Sequence, residues 1–496
     1  MNKTMGRFFR VALVTAMLFA VATFSFAEGE AEGMQGSGSY AAGGAKYVFI
    51  FIGDGMGMPQ ISAAEAYLKE TQGVGVGQEL LSFSTFPSQA LTTTYAEDRF
   101  ITGSAASATA IACGKKTTIG TIAMNGAHTM DYKTIAEMAK DAGMKVGIVS
   151  SVSIDHATPA AFYAHQPSRN NYYEIGLQMA NSGFDYFAGG NPRFGKAPSG
   201  SPAVTDVMKN MGWKVTDTRN EFVNLRPGAG QVFAYDMGFT GDALEYDIDR
   251  ESDDISLAEF TAKGIELLDN SNGFFMMVEG GKIDWACHAN DAVSAIWDTI
   301  AFDAAVREAI DFYNKHPKET LIVVTGDHEC GGLTLGYGGT GYETAFTVLD
   351  GQSMSYEAFN EYVLGPFKNS SSLSSVNIDS LVPMLDEYFG LSDLSDYELE
   401  LITNAFIKSM GGEVEKSSNE ETAILYGGYD PLTVTLTHIL NRRAGLAWTS
   451  FTHTGVPVPT FALGAGASMF NGYYDNTDIF HKTVAAMGLF AAVAEK

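Results

Sequence analysis

Tyr47-Val-Phe-Ile-Phe-Ile-Gly-Asp54-Gly-Met-Gly57 opens on six apolar residues and closes on an aspartate set between glycines. A half-buried strand alternates apolar with polar residues, and this run does not. Both of its faces must be covered, as in a parallel sheet between helices. Val146-Gly-Ile-Val-Ser150, Phe274-Phe-Met-Met-Val278 and Leu321-Ile-Val-Val-Thr325 have the same character. Helical patterns lie between them at 135–142, 256–269 and 289–314, the second opened by a Ser256/Glu259 capping box. Strands alternating with helices predict an α/β fold, a doubly wound and mostly parallel central sheet between helices.

Each apolar run leads into chemistry-bearing residues. The first ends at Asp54 and the second leads to Asp155-His156-Ala157-Thr158. The third ends at Glu279, followed by Asp284 and His288, and the fourth at Asp327-His328. Open parallel sheets bind ligands beyond the carboxyl ends of their strands. Solvated loops favour Lys and Glu, whereas Asp, His, Glu and Thr are metal-ligand types.

Lys3, Arg7 and Arg10 precede the apolar run 11–26, and Ser25-Phe-Ala27 supplies small residues before Glu28. This is a signal-peptide pattern over residues 1–27, too short for a spanning helix, and it implies a periplasmic or extracellular protein. Residues 28–45 are Gly-, Ala-, Ser- and Glu-rich and read as a flexible linker, with the folded domain over 46–496. Within it, residues 341–446 change character to Ser-rich connectors and capped helices, a helical insertion over the sheet edge. The formal charge of −27 argues against nucleic acid or an anionic membrane as partner. It also means that an anionic substrate needs concentrated local positive charge, which bound divalent metals would supply. Cys113, Cys287 and Cys330 cannot all pair and are expected as buried thiols.

Taken singly, the candidate residues are ambiguous. Ser104 heads an Ala-rich stretch, so it sits in the first turn of a helix, where N–H groups and dipole favour an anion. Taken alone, a plain capping serine is the better fit. Asp284 and His288 share a helix face at i, i+4, as metal ligands or as an ion pair. Asp327, His328 and His453 are open to the same two readings. Asp54, Thr158 and Glu279 form an all-oxygen set suited to magnesium, and Arg169 has a fork that could grip two phosphoryl oxygens.

Together, Phe51-Ile-Gly-Asp54-Gly-Met-Gly57, Ser104-Ala-Ala-Ser-Ala-Thr-Ala110, His156-Ala-Thr158-Pro159, Val278-Glu279-Gly-Gly-Lys-Ile-Asp284 with His288, Thr325-Gly-Asp327-His328 and Thr452-His453-Thr-Gly455 resemble the motifs of bacterial alkaline phosphatases, in the family's order. The resemblance implies hydrolysis of phosphate monoesters through a phosphoserine at Ser104, with Arg169 clamping phosphate. It implies one Zn2+ on Asp284, His288 and His453, and a second Zn2+ on Asp54, Asp327 and His328 beside Ser104. One Mg2+ would share Asp54 and add Thr158 and Glu279. Gly103 stands where many members have an Asp that steadies the arginine, which implies a more mobile Arg169. His156 and Trp285 replace the Asp and Lys of enterobacterial members, so they are expected just outside the ligand set, altering magnesium affinity and phosphate release.

Two rival classes remain open. A phosphodiesterase or sulfatase of the same superfamily would need a Thr nucleophile or a Cys/Ser-x-Pro-x-Arg context, and neither surrounds Ser104. A non-catalytic periplasmic metal- or phosphate-binding protein would need the ligands but not Ser104. The small-molecule ester is unspecified by sequence, and a homodimer remains open.

Overall fold

Tyr47–Gly53 forms β1, and all seven of its residues are buried. The computed structural model describes residues 44–489 except 74, 75, 78, 195, 196, 240, 374, 377 and 413–417. The signal peptide expected at 1–27 and nearly all of the linker expected at 28–45 lie outside the described residues.

Among the described residues, β1 is central in a ten-stranded sheet. The other strands are β2 (Ser88–Thr93), β3 (Lys145–Ser153), β4 (Tyr186–Gly190), β5 (Lys214–Thr216) and β6 (Val232–Asp236). They continue with β7 (Phe274–Gly280), β8 (Thr320–Gly326), β9 (Val458–Gly464) and β10 (Gly472–Asp475). The order is β10-β2-β9-β8-β1-β7-β3-β4-β6-β5. Every pairing is parallel except those of β9, which runs antiparallel to both β8 and β2. The sheet is therefore mostly parallel, as the apolar runs predict.

The two faces of the sheet bury two separate cores. Phe49, Phe51, Met276, Val278, Ile322 and Val324 pack with the helices Met58–Thr71, Leu257–Leu268 and Ala292–Lys315. Their strand neighbours Val48, Ile50, Phe275, Met277, Leu321 and Val323 pack with the helices Ser104–Cys113, Ile135–Asp141 and Thr477–Met487. Successive side chains of one strand thus enter opposite cores, which is why no polar alternation is allowed. Each fully buried side chain of this size contributes about 1.5–3 kcal/mol.

The segment 341–446 leaves and rejoins the body through a two-stranded ribbon, Thr334–Leu335 against Leu446–Ala447. Its Leu349, Phe359, Leu385, Ile402 and Leu436 join the same core as Phe49 and Phe51. It is therefore packed onto one helical layer rather than held as a detached flap. Two of its helices start as the sequence predicts: Asp396–Ser409 with the Ser395/Glu398 capping box, and Pro431–Ala444 with the Asp430 cap. Glu398 also receives Arg443 Nε and Nη2, both at 2.8 Å, which ties the two helices together.

Arg443 and the capping serine hold the Glu398 carboxyl down at about 2, against an ordinary 4.5. A depressed carboxylate stabilises the fold fully above its unfolded pKa, and that stability is lost as pH falls through the folded value. Glu398→Gln is expected to be about 1 kcal/mol less stable than wild type at pH 6, a bidentate pair's worth discounted for partial exposure. The gap should close between pH 4.5 and 2. Thermal melts of both proteins across this range check it, and a gap independent of pH contradicts the assignment.

Candidate metal centre

The order β8-β1-β7-β3 brings four strand ends side by side. Ile52 is in register with Glu279, Gly53 with Gly326, and Ser150 with Glu279. The residues that follow, Asp54, Asp327 and His156, therefore emerge on one edge beside Glu279. Gly55 makes the approach of the next helix possible. It has φ +70°, and a Cβ there would lie 2.9 Å from the Asp284 backbone. Asp284 and His288 stand one turn apart on the helix Lys282–His288 that follows β7. His453 arrives on a short strand paired with Glu329–Cys330, directly after Asp327-His328.

Ser104 is the first residue of the ten-residue helix Ser104–Cys113, capped by Gly103 without a side-chain bond. The helix is docked against the fourth strand end, because Ser107 Oγ donates to the Asp327 carbonyl at 2.7 Å. Ser104 Oγ is then 3.4 Å from His328 Nε2, at the buried floor of a cleft of about 480 Å³. The Asp54, Asp284 and His328 ligand atoms lie within 4.8 Å of one another.

Ring orientation narrows the chemistry. His288 Nδ1 is 2.7 Å from the Phe451 carbonyl, and His453 Nδ1 is 2.9 Å from the Thr102 carbonyl. Each Nδ1 must carry the proton, which leaves Nε2 as a lone-pair donor. Those two Nε2 atoms are 3.1 Å apart, and they lie 3.3 and 3.5 Å from the Asp284 carboxylate. Lone pairs converging at that distance need a proton or a cation between them. Burial opposes charge on His288, yet Asp284 pushes it up to about 9. Burial likewise opposes ionisation of Asp284, but His288 and His453 hold its carboxyl well below the usual range.

The remaining carboxylates have no such relief. Burial, with Asp284 and Glu279 close by, pushes Asp327 up to about 8. Burial pushes Glu279 up to about 7 and lifts Asp54 well above its ordinary value. Asp54 Oδ1, Glu279 Oε1, Asp284 Oδ1, Asp327 Oδ2, His328 Nδ1 and His156 Nδ1 are buried without a hydrogen-bond partner. The carboxylate oxygens among them are costly to leave unpaired unless a proton or a cation satisfies them. The donor set therefore fits divalent metal ions: Asp284, His288 and His453 as one group, and Asp54, Asp284 and His328 as another, with Asp327 Oδ2 3.2 Å from His328 Nε2. Asp327 is oriented for this by the N–H groups of Gly55 and His328, at 3.1 and 2.9 Å on its Oδ1.

A third group joins Asp54 and Glu279 to His156. Thr158 Oγ1 stands 3.3 Å from Asp54 Oδ2, and Ser150 Oγ donates to Glu279. His156 is thus closer to the carboxylates than the sequence implies. Arg169 Nη2 donates to His156 Nε2 at 2.7 Å, a partner not foreseen from the sequence. Burial and the charges of Arg169 and Arg193 keep His156 neutral, as an acceptor must be. Trp285 packs edge-on against the His156 ring, centroids 5.8 Å apart.

The sequence reading missed several residues at the site. Cys330 lies in the Asp284, His288 and His453 group, with Sγ 3.7 Å from the Asp284 carbonyl. Burial drives its thiol pKa well up, so it is a neutral neighbour. All three cysteines are free and buried, as expected. Arg193, Tyr356 and Tyr429 line the cleft from distant segments, and no local pattern marks them. No helix among the described residues is long and apolar enough to cross a membrane.

The family model for alkaline phosphatase matches residues 45–188 and 195–489. Alkaline phosphatase 3 of Bacillus subtilis strain 168 is 31% identical over 453 residues, 89% of each chain. A cold-active alkaline phosphatase of a psychrophilic Shewanella is 29% identical, with a TM-score of 0.74 over 89% of this chain and 99% of its own. The Thermus thermophilus alkaline phosphatase is 25% identical, with a TM-score of 0.73 over 92% of this chain and 95% of its own.

If cations satisfy the orphaned acceptors, stripping them must destabilise the fold. Chelator-treated protein is expected to melt lower than the same protein with zinc and magnesium restored. The gain is about 4 kcal/mol at a thousandfold excess over Kd. Equal melting temperatures by calorimetry would contradict the metal reading.

Proposed function

The chain belongs to the alkaline phosphatase family, whose chemistry is phosphate monoester hydrolysis, and we propose that it performs this reaction through a phosphoserine at Ser104. The carrying observation is the placement of the Ser104 hydroxyl at a helix N-terminus, facing a cluster of buried and unsatisfied metal-ligand atoms. In the proposed assignment, Asp284, His288 and His453 hold one zinc, and Asp54, Asp327 and His328 hold a second beside Ser104. Asp54, Thr158 and Glu279 hold magnesium, with His156 adjacent. When bound, these ions supply the positive charge that acidifies a hydroxyl and offsets charge on transferring phosphoryl oxygens. That local charge also answers the acidity of the whole chain.

The chain's own residues do the rest. Arg169, steadied by His156, grips two phosphoryl oxygens of the incoming ester. The first-turn N–H groups of the Ser104–Cys113 helix favour the anion. The Ser104 oxygen attacks phosphorus, the P–O bond to the alcohol breaks, and the alcohol leaves with a proton. Water then attacks the phosphoserine, releasing inorganic phosphate and restoring the hydroxyl. Because Ser104 lies at the floor, the alcohol departs toward the mouth of the cleft.

Ser104→Ala is expected to lower turnover of 4-nitrophenyl phosphate on the order of 10³-fold or more while metal content stays near wild type. Unchanged turnover would refute the nucleophile, and faster hydrolysis of the bis-ester than of the monoester would favour a diesterase. The basic and apolar pattern of residues 1–27 supports export. Sequencing of the secreted chain should begin at Glu28, and an intact Met1 on the secreted chain would contradict cleavage.

A further inference from the structure

The mouth of the cleft is built differently from its floor. Asp54, Ser104 and His328 are buried, whereas Trp285 and Tyr429 are half-buried; they line the cleft together with the buried Tyr356. Tyr356 and Tyr429 come from the 341–446 segment, which also reaches the body through polar contacts such as Glu357 with Lys282 and His438 with Asn290. Their rings meet edge to face at 5.7 Å and 85°. Tyr356 also meets Tyr246 at 5.8 Å.

The wall is anchored at both ends. The Tyr356 N–H donates at 3.0 Å to Asp291, a fully buried carboxylate that also takes Gln352 Nε2 at 2.9 Å on each oxygen. Tyr429 stacks on Phe451 at 6.4 Å, the residue whose carbonyl orients His288. Trp285 has Lys282 Nζ and the Arg193 guanidinium within 5.1 and 5.7 Å of its ring. Arg193 does not present a free cation to substrate. Its Nε is bound to Asp242 at 2.6 Å, and its Nη1 to the Tyr172 hydroxyl at 3.2 Å. What faces the departing alcohol is therefore aromatic surface of fixed orientation.

Resting on the phosphoserine reading above, we propose that Trp285, Tyr356 and Tyr429 form a leaving-group site selecting phosphate monoesters of flat aromatic alcohols over those of small polyols. A planar ring on the ester oxygen gains offset or edge contacts with these three rings, while glycerol cannot. The insertion thereby sets which esters are used, and the floor sets the reaction.

The test compares kcat/KM for phenyl phosphate with kcat/KM for glycerol 2-phosphate. The aryl-to-alkyl ratio is expected to fall about five- to tenfold in Tyr429→Ala. Tyr429→Phe, which keeps the ring, should restore it. If Tyr429→Ala does not fold, Trp285→Ala carries the same comparison. A ratio equal to wild type, or an equal fall with both substrates, overturns the proposal by showing only a structural role. Failure of the wild type to hydrolyse either ester would instead overturn the function on which it rests.

Discussion

Buried negative charge at one sheet edge is the constraint around which this molecule is organised. Asp54, Glu279, Asp284 and Asp327 are all removed from water within a few residues of parallel strand ends. Desolvation and mutual repulsion oppose ionisation of Asp54, Glu279 and Asp327, while His288 and His453 hold Asp284 ionised, and hydrogen bonds satisfy only part of the cluster's acceptor capacity. Such a cluster can stay ionised near neutral pH only if cations offset its charge. The rest of the architecture keeps that cluster dry and aligned. Two cores clamp the sheet, glycine at position 55 lets Asp284 approach, and the Phe451 and Thr102 carbonyls fix two imidazoles.

The same arrangement links the remote parts of the chain. Ser104 is placed by its helix, and that helix is tied through Ser107 to the Asp327 strand end. Arg169 comes from the loop after His156 and is held by it, so one neutral imidazole connects Arg169 to the Asp54 and Glu279 group. Segment 341–446 reaches the cleft through Tyr356 and Tyr429 while Asp291 fixes its near end. Ser104, Arg169 and the aromatic wall thus rest on supports that also carry the fold.

The centre of the fold was legible because β1, β3, β7 and β8 are apolar on both faces, a pattern with few alternatives. The flanking strands were not. β2 reads Ser-Gln-Ala-Leu-Thr-Thr, β4 ends in two glycines, and β9 carries Pro459, which argues against a strand. Their pairing is decided by neighbours already in place. At the site, Asp54, Glu279, Asp327 and His328 were readable as residues at the ends of apolar runs. Arg193, Cys330, Tyr356 and Tyr429 were hidden because their approach depends on tertiary packing. The absence of an Asp at position 103 suggested a loose Arg169, yet the partner is His156, thirteen residues away.

Anomalous diffraction from the purified protein, recorded on both sides of the zinc absorption edge, bears most directly on the buried acidic cluster. The account predicts one zinc peak among Asp284, His288 and His453 and a second among Asp54, Asp327 and His328. A well-ordered crystal of active protein with no anomalous peak at either group would contradict it.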